Sequence, residues 1–337
     1  MFLRRPPEQS LDGSVRIGQR MRNALRPLRE PRLLDSDRPL SGEVIAAELE
    51  KACGAGRSGI IIRGGFRRGV MPSPQGLRVE KAERVAVLWI DNAPRNALRL
   101  SMIAELGSHV PELERDDSVR AIVVAGRGNH AFSSGIDVEE WATLAPKEAQ
   151  EWVTRGQDAF WAFEHLTKPT IAAVAGIARG AGTELALACD LRIADESAVF
   201  SHPEIDLSWM PSHGGTARLS KIVGRSKALE ILLAGKEVKA LDALPLGIVN
   251  HLTAPGEAFS EAQALATVFS TKPRAAVKAI KRTLTEGDEK PYRNRFLLES
   301  QHAVQLLWTE EYQRAMADRR AKKSEASRRR KADEVRK

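Results

Sequence analysis

Apolar and polar positions along the chain fall into two regimes. Residues 1–40 are rich in Arg, Pro and Leu with no helical or strand period, and 67–75 is a second Gly/Pro/Arg-rich stretch. Such segments bury too little apolar surface to offset ordering, so both predict a disordered or irregular arm. Between them Val44, Ile45, Glu48, Leu49 and Ala52 recur at helical spacing behind Ser41, with acids in the first turn, which predicts a short helix over 41–52. From residue 82 the pattern becomes regular. Val85 to Ile90 reads as a strand, 91–94 as a turn, and Ile103, Leu106, Val110 and Leu113 mark one face of a helix. Ala121 to Ala125 and Thr170 to Val174 are further apolar strands, the latter preceded by a helical stretch over 147–166. Near-continuous apolar strands alternating with helices argue for crossover units and a largely parallel sheet buried on both faces, an α/β core.

The third strand runs into Ala175-Gly176-Ile177-Ala178-Arg179-Gly180-Ala181-Gly182, after which Glu184 to Cys189 reads as a helix. Glycines at a strand-to-helix turn let a ligand or another backbone approach, and a helix start offers unpaired N–H groups with a partial positive charge. That geometry suits an oxyanion; equally, Gly180 and Gly182 would permit close helix-to-sheet packing. The GxGxxG spacing of a dinucleotide site is not met. Two carboxylates close turn-prone stretches twenty positions apart: Glu184 in Gly-Ala-Gly-Thr-Glu and Glu204 in Ser-His-Pro-Glu. Either alone reads as a helix-start acid or a surface charge. Held over one reacting centre, the pair suits acid/base work.

Composition narrows the setting. At 337 residues and 42% hydrophobic content the chain can build one large core or two modest ones. Its longest apolar runs, such as 171–175, fall far short of the roughly 18 residues a membrane span needs. Cys53 and Cys189 have no CxxC spacing and no nearby histidine set, so neither a disulfide framework nor a zinc site is expected, and a reduced, intracellular setting fits. The net charge of +8 is unevenly spread: residues 1–80 carry 15 basic and 9 acidic side chains and 314–337 carry 11 and 4, leaving the centre net acidic by five. Arg328-Arg329-Arg330-Lys331 is either a solvated tail or a phosphate-binding patch. The N-terminus has arginines as a mitochondrial transit peptide would, but Glu8 and Asp12 come early and no amphipathic helix is evident.

Five segments, in order and spacing, resemble the enoyl-CoA hydratase/isomerase, or crotonase, superfamily over about residues 80 to 325. They are Phe132-Ser133-Ser134-Gly135-Ile136-Asp137, Lys168 to Val174, Gly180 to Asp190, Phe200 to Glu204, and Gly214-Gly215-Thr216-Ala217-Arg218-Leu219. The resemblance implies repeated ββα turns forming a spiral over 81–270 and a helical trimerisation region over 271–323, with helices near 272–285, 294–307 and 308–320. A basic extension, 1–80, and a basic tail, 324–337, would flank them.

It also implies an acyl-CoA substrate, a thioester enolate held by the backbone N–H groups of Ile136 and Ala181, and Glu184 and Glu204 as the acid/base pair of a hydratase. Arg95, Ala97, Ser134, Asp137 and Ser212 would contact substrate or CoA. CoA arrives as part of the substrate; no resident cofactor and no metal are implied. The expected assembly is a homotrimer or dimer of trimers in the cytoplasm rather than the mitochondrial matrix. The sequence departs from common members at Ile136, often Ala, at Ala181, often Gly, and at Glu139, where a basic residue often meets CoA phosphates. The dienoyl isomerase branch, similar at Ser133 to Asp137, carries an aspartate eight positions beyond the second glutamate; here that residue is Ser212. Trp209, Met210 and His213 flank the expected acyl pocket. His213 reads as an acyl contact, an extra acid/base, or a ring packed or hydrogen-bonded within its own loop, and His202 as a structural neighbour of Glu204. The alternatives are an isomerase of the same superfamily, or an interaction protein whose basic ends bind RNA, DNA or an acidic partner.

Overall fold

The computed structural model describes residues 76–128, 130–288 and 290–321, within a unit spanning 71–337. The helix expected over 41–52, the stretches 1–40 and 67–75, Cys53 and the tail 324–337 lie outside the described residues.

Strand β1 (Gly76–Ala82) turns into β2 (Val85–Asp91), with which it pairs antiparallel, Gly76 opposite Asp91. The sheet therefore starts within the stretch expected to be extension. Only Gly76 and Leu77 of β1 are buried, too few to read as a strand without the partner that makes it one. Then β3 (Ala121–Gly126), β5 (Thr170–Val174), β7 (Leu191–Asp195) and β10 (His251–Thr253) complete a six-stranded sheet in the order β1-β2-β3-β5-β7-β10, parallel from β2 onward. A second sheet runs β4 (Ala131–Ser133), β6 (Ile177–Arg179), β8 (Val199–Ser201) and β9 (Val238–Lys239). Three passes, β3 to β4, β5 to β6 and β7 to β8, each lay one strand in the large sheet and a short one in the small sheet before helical structure follows: the ββα spiral.

The helices are, in chain order, α1 (Leu100–Arg115), α2 (Val138–Ala142), α3 (Pro146–Glu164), α4 (Ala181–Ala188), α5 (Gly215–Val223), α6 (Arg225–Leu233), α7 (Ala240–Ala243), α8 (Ala258–Ser270), α9 (Arg274–Gly287) and α10 (Tyr292–Leu306). Alternation along the strands divides the core. Leu88, Ile90, Ile122 and Val124 join Ile103, Leu106 and Leu113 of α1 and Phe160 and Phe163 of α3. Val87, Val123, Ala125 and Ile171 face the other way, onto Ala258, Ala262 and Ala266 of α8. The period of two that puts alternate side chains on opposite faces is what lets one strand serve two layers. Each fully buried Leu, Ile or Phe contributes about 1.5–3 kcal/mol.

Beyond α8 the chain stays helical through α9, α10 and residues 310–321. Lys281 ties α9 to the sheet: its buried ammonium donates to the Lys168 carbonyl at 2.9 Å and lies 2.8 Å from Asp190 Oδ2. Among the described residues no helix is long and apolar enough to cross a membrane.

Candidate active site

The start of α4 is where small residues let three pieces of backbone converge. Gly180 caps the helix at φ +52°, its N–H donating to the Ser201 carbonyl at 2.9 Å. Thr183 Oγ1 donates to the Ala178 carbonyl at 2.7 Å, closing the turn between β6 and α4. A Cβ at Gly182 would lie 2.5 Å from the Ser133 carbonyl oxygen, so the helix reaches β4 only because that position is glycine. Gly135 has φ +92°, and a Cβ there would stand 2.7 Å from the Arg179 oxygen and 3.5 Å from the Ala181 nitrogen. The Gly135-Ile136 backbone therefore runs alongside the helix start. Leu98 bridges to Ile136, donating to the Gly135 carbonyl at 2.7 Å and accepting from the Asp137 N–H at 2.9 Å. Those bonds engage the groups on either side of the Ile136 N–H. Among the described residues neither the Ile136 nor the Ala181 N–H donates to a backbone acceptor.

Glu184 sits in the first turn of α4, 1% exposed. One oxygen, Oε1, accepts from the His213 and Gly215 N–H groups, both at 2.8 Å, and Oε2 lies 3.4 Å from His213 Nδ1. Burial pushes this carboxyl up, but the hydrogen bond and field of His213, the field of His202 and the Gly215 N–H outweigh it and hold the group below the usual carboxylate range. Glu204 occupies the first turn of a short 3₁₀ helix, Pro203–Leu207. A Cβ at Gly180 would lie 3.1 Å from Glu204 Oε1, which places the carboxylate over the cap of α4. Its Oε2 is buried without a hydrogen-bond partner among the described residues, and Oε1 lies 3.6 Å from His202 Nδ1. His202 is buried, with both ring nitrogens unpartnered among the described residues, and borders Gly215 together with the other acid. A Cβ at Gly215 would be 2.9 Å from His202 Cε1 and 2.9 Å from Glu184 Oε1. The two carboxylates, separated in sequence, thus flank one helix start.

The remaining expected contacts divide by what holds them. Buried Asn96 donates to the Ala131 carbonyl at 2.7 Å, Asn92 Nδ2 donates to the Ala97 carbonyl at 2.7 Å, and the Ser134 N–H donates to the Arg95 carbonyl at 2.9 Å. These bonds bring Arg95, Ala97 and Ser134 to one loop edge beside β4, with the Arg95 side chain exposed. Asp137 caps α2, accepting from Glu139 and Glu140 N–H at 3.2 Å each, and Glu139 is exposed. Ser212 turns its hydroxyl to His213 Nδ1 at 3.3 Å, while its carbonyl accepts from Gln157. Trp209 and Met210 are exposed, and Trp209, Trp141, Trp152 and His213 make successive ring contacts 4.8–5.3 Å apart. Sequence reasoning gave no part to Trp141, Trp152 or Gly156, and read His202 as structural. Trp152 and Gly156 lie on the buried face of α3, and its apolar period alone could have flagged them.

This frame defines a crotonase-like protein, a ββα spiral with Glu184 and Glu204 beside one helix start. The chain belongs to the enoyl-CoA hydratase/isomerase family, whose profile matches residues 80–324. It is 34% identical over 240 residues to a short-chain-enoyl-CoA hydratase of Clostridium acetobutylicum, covering 71% of this chain and 92% of that protein. It is 36% identical over 215 residues to a crotonyl-CoA hydratase of Syntrophomonas wolfei, covering 63% and 82%. The crystal structure of an enoyl-CoA hydratase from Bacillus anthracis superposes with a TM-score of 0.70 at 27% identity, covering 73% of this chain and 96% of that one.

Proposed function

We propose that this chain is an enoyl-CoA hydratase that adds water across the 2,3 double bond of an acyl-CoA thioester. The observation that carries the reading is the meeting of Glu184, Glu204 and the N–H groups of Ile136 and Ala181 at the start of α4. On this reading the thioester oxygen lies between the two N–H groups, which meet the negative charge that develops as the enolate forms; loss of one such donor typically costs about 2.7–4 kcal/mol of transition-state stabilisation. Water sits between the carboxylates. Glu184, held ionised by its donors, takes a proton from the water that adds at the β-carbon. Glu204 delivers the proton at the α-carbon, its Oε2 left without a partner among the described residues and so available to the reacting groups. Arg95, Ala97, Ser134, Asp137 and Ser212 line the path of substrate and CoA. CoA is the substrate's carrier, and the reading requires neither a resident cofactor nor a metal.

The working form is a homotrimer or dimer of trimers in the cytoplasm. In support, Ile280 and Leu284 of α9 are 63% and 68% exposed, and Trp308 is 82% exposed, apolar surface of the kind a partner subunit covers. A panel of enoyl-CoA thioesters, crotonyl-CoA included, assayed for water addition, double-bond shift and thioester hydrolysis tests the reaction. Water addition is expected; a double-bond shift alone would assign an isomerase, and no turnover of any thioester would overturn the enzyme reading.

A further inference from the structure

Glu184 is held by more than backbone. The His213 ring that faces its Oε2 is 1% exposed and seated in a fitted socket: Trp152 lies 4.8 Å away edge-on, Phe160 5.2 Å away, and Gly156 of α3 directly behind. A Cβ at Gly156 would fall 2.2 Å from Cδ2 and 2.3 Å from Nε2 of the imidazole, so the ring occupies its place only because α3 carries a glycine there. Nε2 has no hydrogen-bond partner among the described residues. A ring that only filled this space would be better replaced by an apolar one, since a buried unpartnered nitrogen costs stability. Nδ1 faces Glu184 Oε2 at 3.4 Å and the Ser212 hydroxyl at 3.3 Å; an ionised carboxylate can only accept and a hydroxyl can accept as well, so a ring hydrogen on Nδ1 suits both neighbours, and that tautomer leaves Nε2 a bare acceptor rather than an unpaired donor.

We propose that His213 is a positioning residue for hydration, its Nδ1–H fixing Oε2 of Glu184 while the His213 and Gly215 N–H groups fix Oε1, so that the carboxylate presents a single orientation to the attacking water. The inference rests on the assignment of Glu184 as the group that acts on that water.

The other charged or titratable groups around the pair do not supply this contact. His202 and Glu204 face it from the end of β8 and the 3₁₀ turn, and His202 has no hydrogen bond to Glu184. Arg218 of α5 donates through Nη1 to the His213 carbonyl at 2.6 Å, and its guanidinium is otherwise held by Glu164 of α3 at 2.8 Å. Asp158, His165, Lys221 and Asp288 line, together with His213, a cavity of about 370 Å³. Removing the imidazole therefore leaves Oε2 with no donor among the described residues, and burial then acts on Glu184 with less opposition.

The test uses the full chain with His213→Ala and His213→Asn, reading kcat, KM and the pH profile of crotonyl-CoA hydration, together with long-range ¹H–¹⁵N spectra of the histidine rings in wild type and in Glu184→Gln. Asn places an amide nitrogen where Nδ1 stands. His213→Ala is expected to lower kcat by about tenfold to a hundredfold, the loss of one hydrogen bond to a charged group, with KM little changed and the acid limb moved to higher pH. His213→Asn is expected to recover most of kcat and to return the acid limb. The wild-type ring is expected as the Nδ1–H tautomer, its signals shifting on Glu184→Gln. Unchanged kcat and acid limb in a folded Ala variant overturn the inference. So does an Nε2–H ring indifferent to Glu184→Gln, a reading that needs no variant at His213 to fold. Hydration intact without that coupling removes the role of His213 alone; coupling intact in a protein that hydrates no enoyl-CoA removes the hydratase reading, and this role with it.

Discussion

At the scale of single residues, burial decides which reactive groups take part in chemistry. Cys189 and Glu184 lie at opposite ends of the same short helix, both out of solvent. The thiol has no compensating donors, and burial pushes it up to about 12, opposed mainly by Arg192. It is therefore a packing group and not a nucleophile. Brief treatment of the native protein with iodoacetamide, followed by peptide mass spectrometry, is expected to leave Cys189 unmodified, and modification is expected once the protein is unfolded. Glu184 has the same burial and the opposite outcome because two N–H groups and an imidazole face it. Residue type alone showed two glutamates at a suggestive interval. It did not show that His202 and Glu184 both border Gly215, a relation that exists only once α5 is folded against α4.

At the scale of elements, the close approach of α4 to β4 brings the backbone beyond β4 alongside the start of α4. Gly182 sets that distance, and an added methyl would press on Ser133 through both its carbonyl and its side chain. Gly182→Ala is expected to cost about 1–3 kcal/mol in urea unfolding, the usual penalty for overpacking, and to lower kcat as well, since the shift separates the Ile136 and Ala181 N–H groups. A change in stability without a change in kcat would uncouple helix approach from the oxyanion site. Elements with a strong period were legible: α1 and α3 declared themselves through Ile103, Leu106, Val110 and Leu113 and through the run before Thr170, and β3 and β5 through unbroken apolar stretches. The small sheet was not legible. Its strands are two or three residues long, too short to show alternation, and β1 buries so little of itself that only its pairing with β2 defines it. The glycine turn was legible as a turn, and the structure bears out the packing reading, since a Cβ at Gly182 would press on Ser133; oxyanion binding there belongs to the proposed function.

For the whole molecule, the open question is what covers α9 and α10. No residue of α10 is buried, and Phe296, Leu297 and Val304 on it are more than half exposed, as are Ile280 and Leu284 on α9. A trimer that sequesters this surface is expected by light scattering after size exclusion, and Leu284→Asp is expected to shift the population toward monomer. A monomeric wild type would leave these helices for another partner. The motif resemblance and the ββα passes of the chain agree on the frame.

The central claim is that one water is shared by two carboxylates. Steady-state hydration of crotonyl-CoA by Glu184→Gln and Glu204→Gln tests it most directly, provided circular dichroism shows both variants folded. General acid–base groups typically contribute about 10²–10⁴-fold, and each substitution is expected to reduce kcat within that range while the protein still binds the thioester. A folded Glu184→Gln or Glu204→Gln variant that hydrates crotonyl-CoA at the wild-type rate would contradict the account.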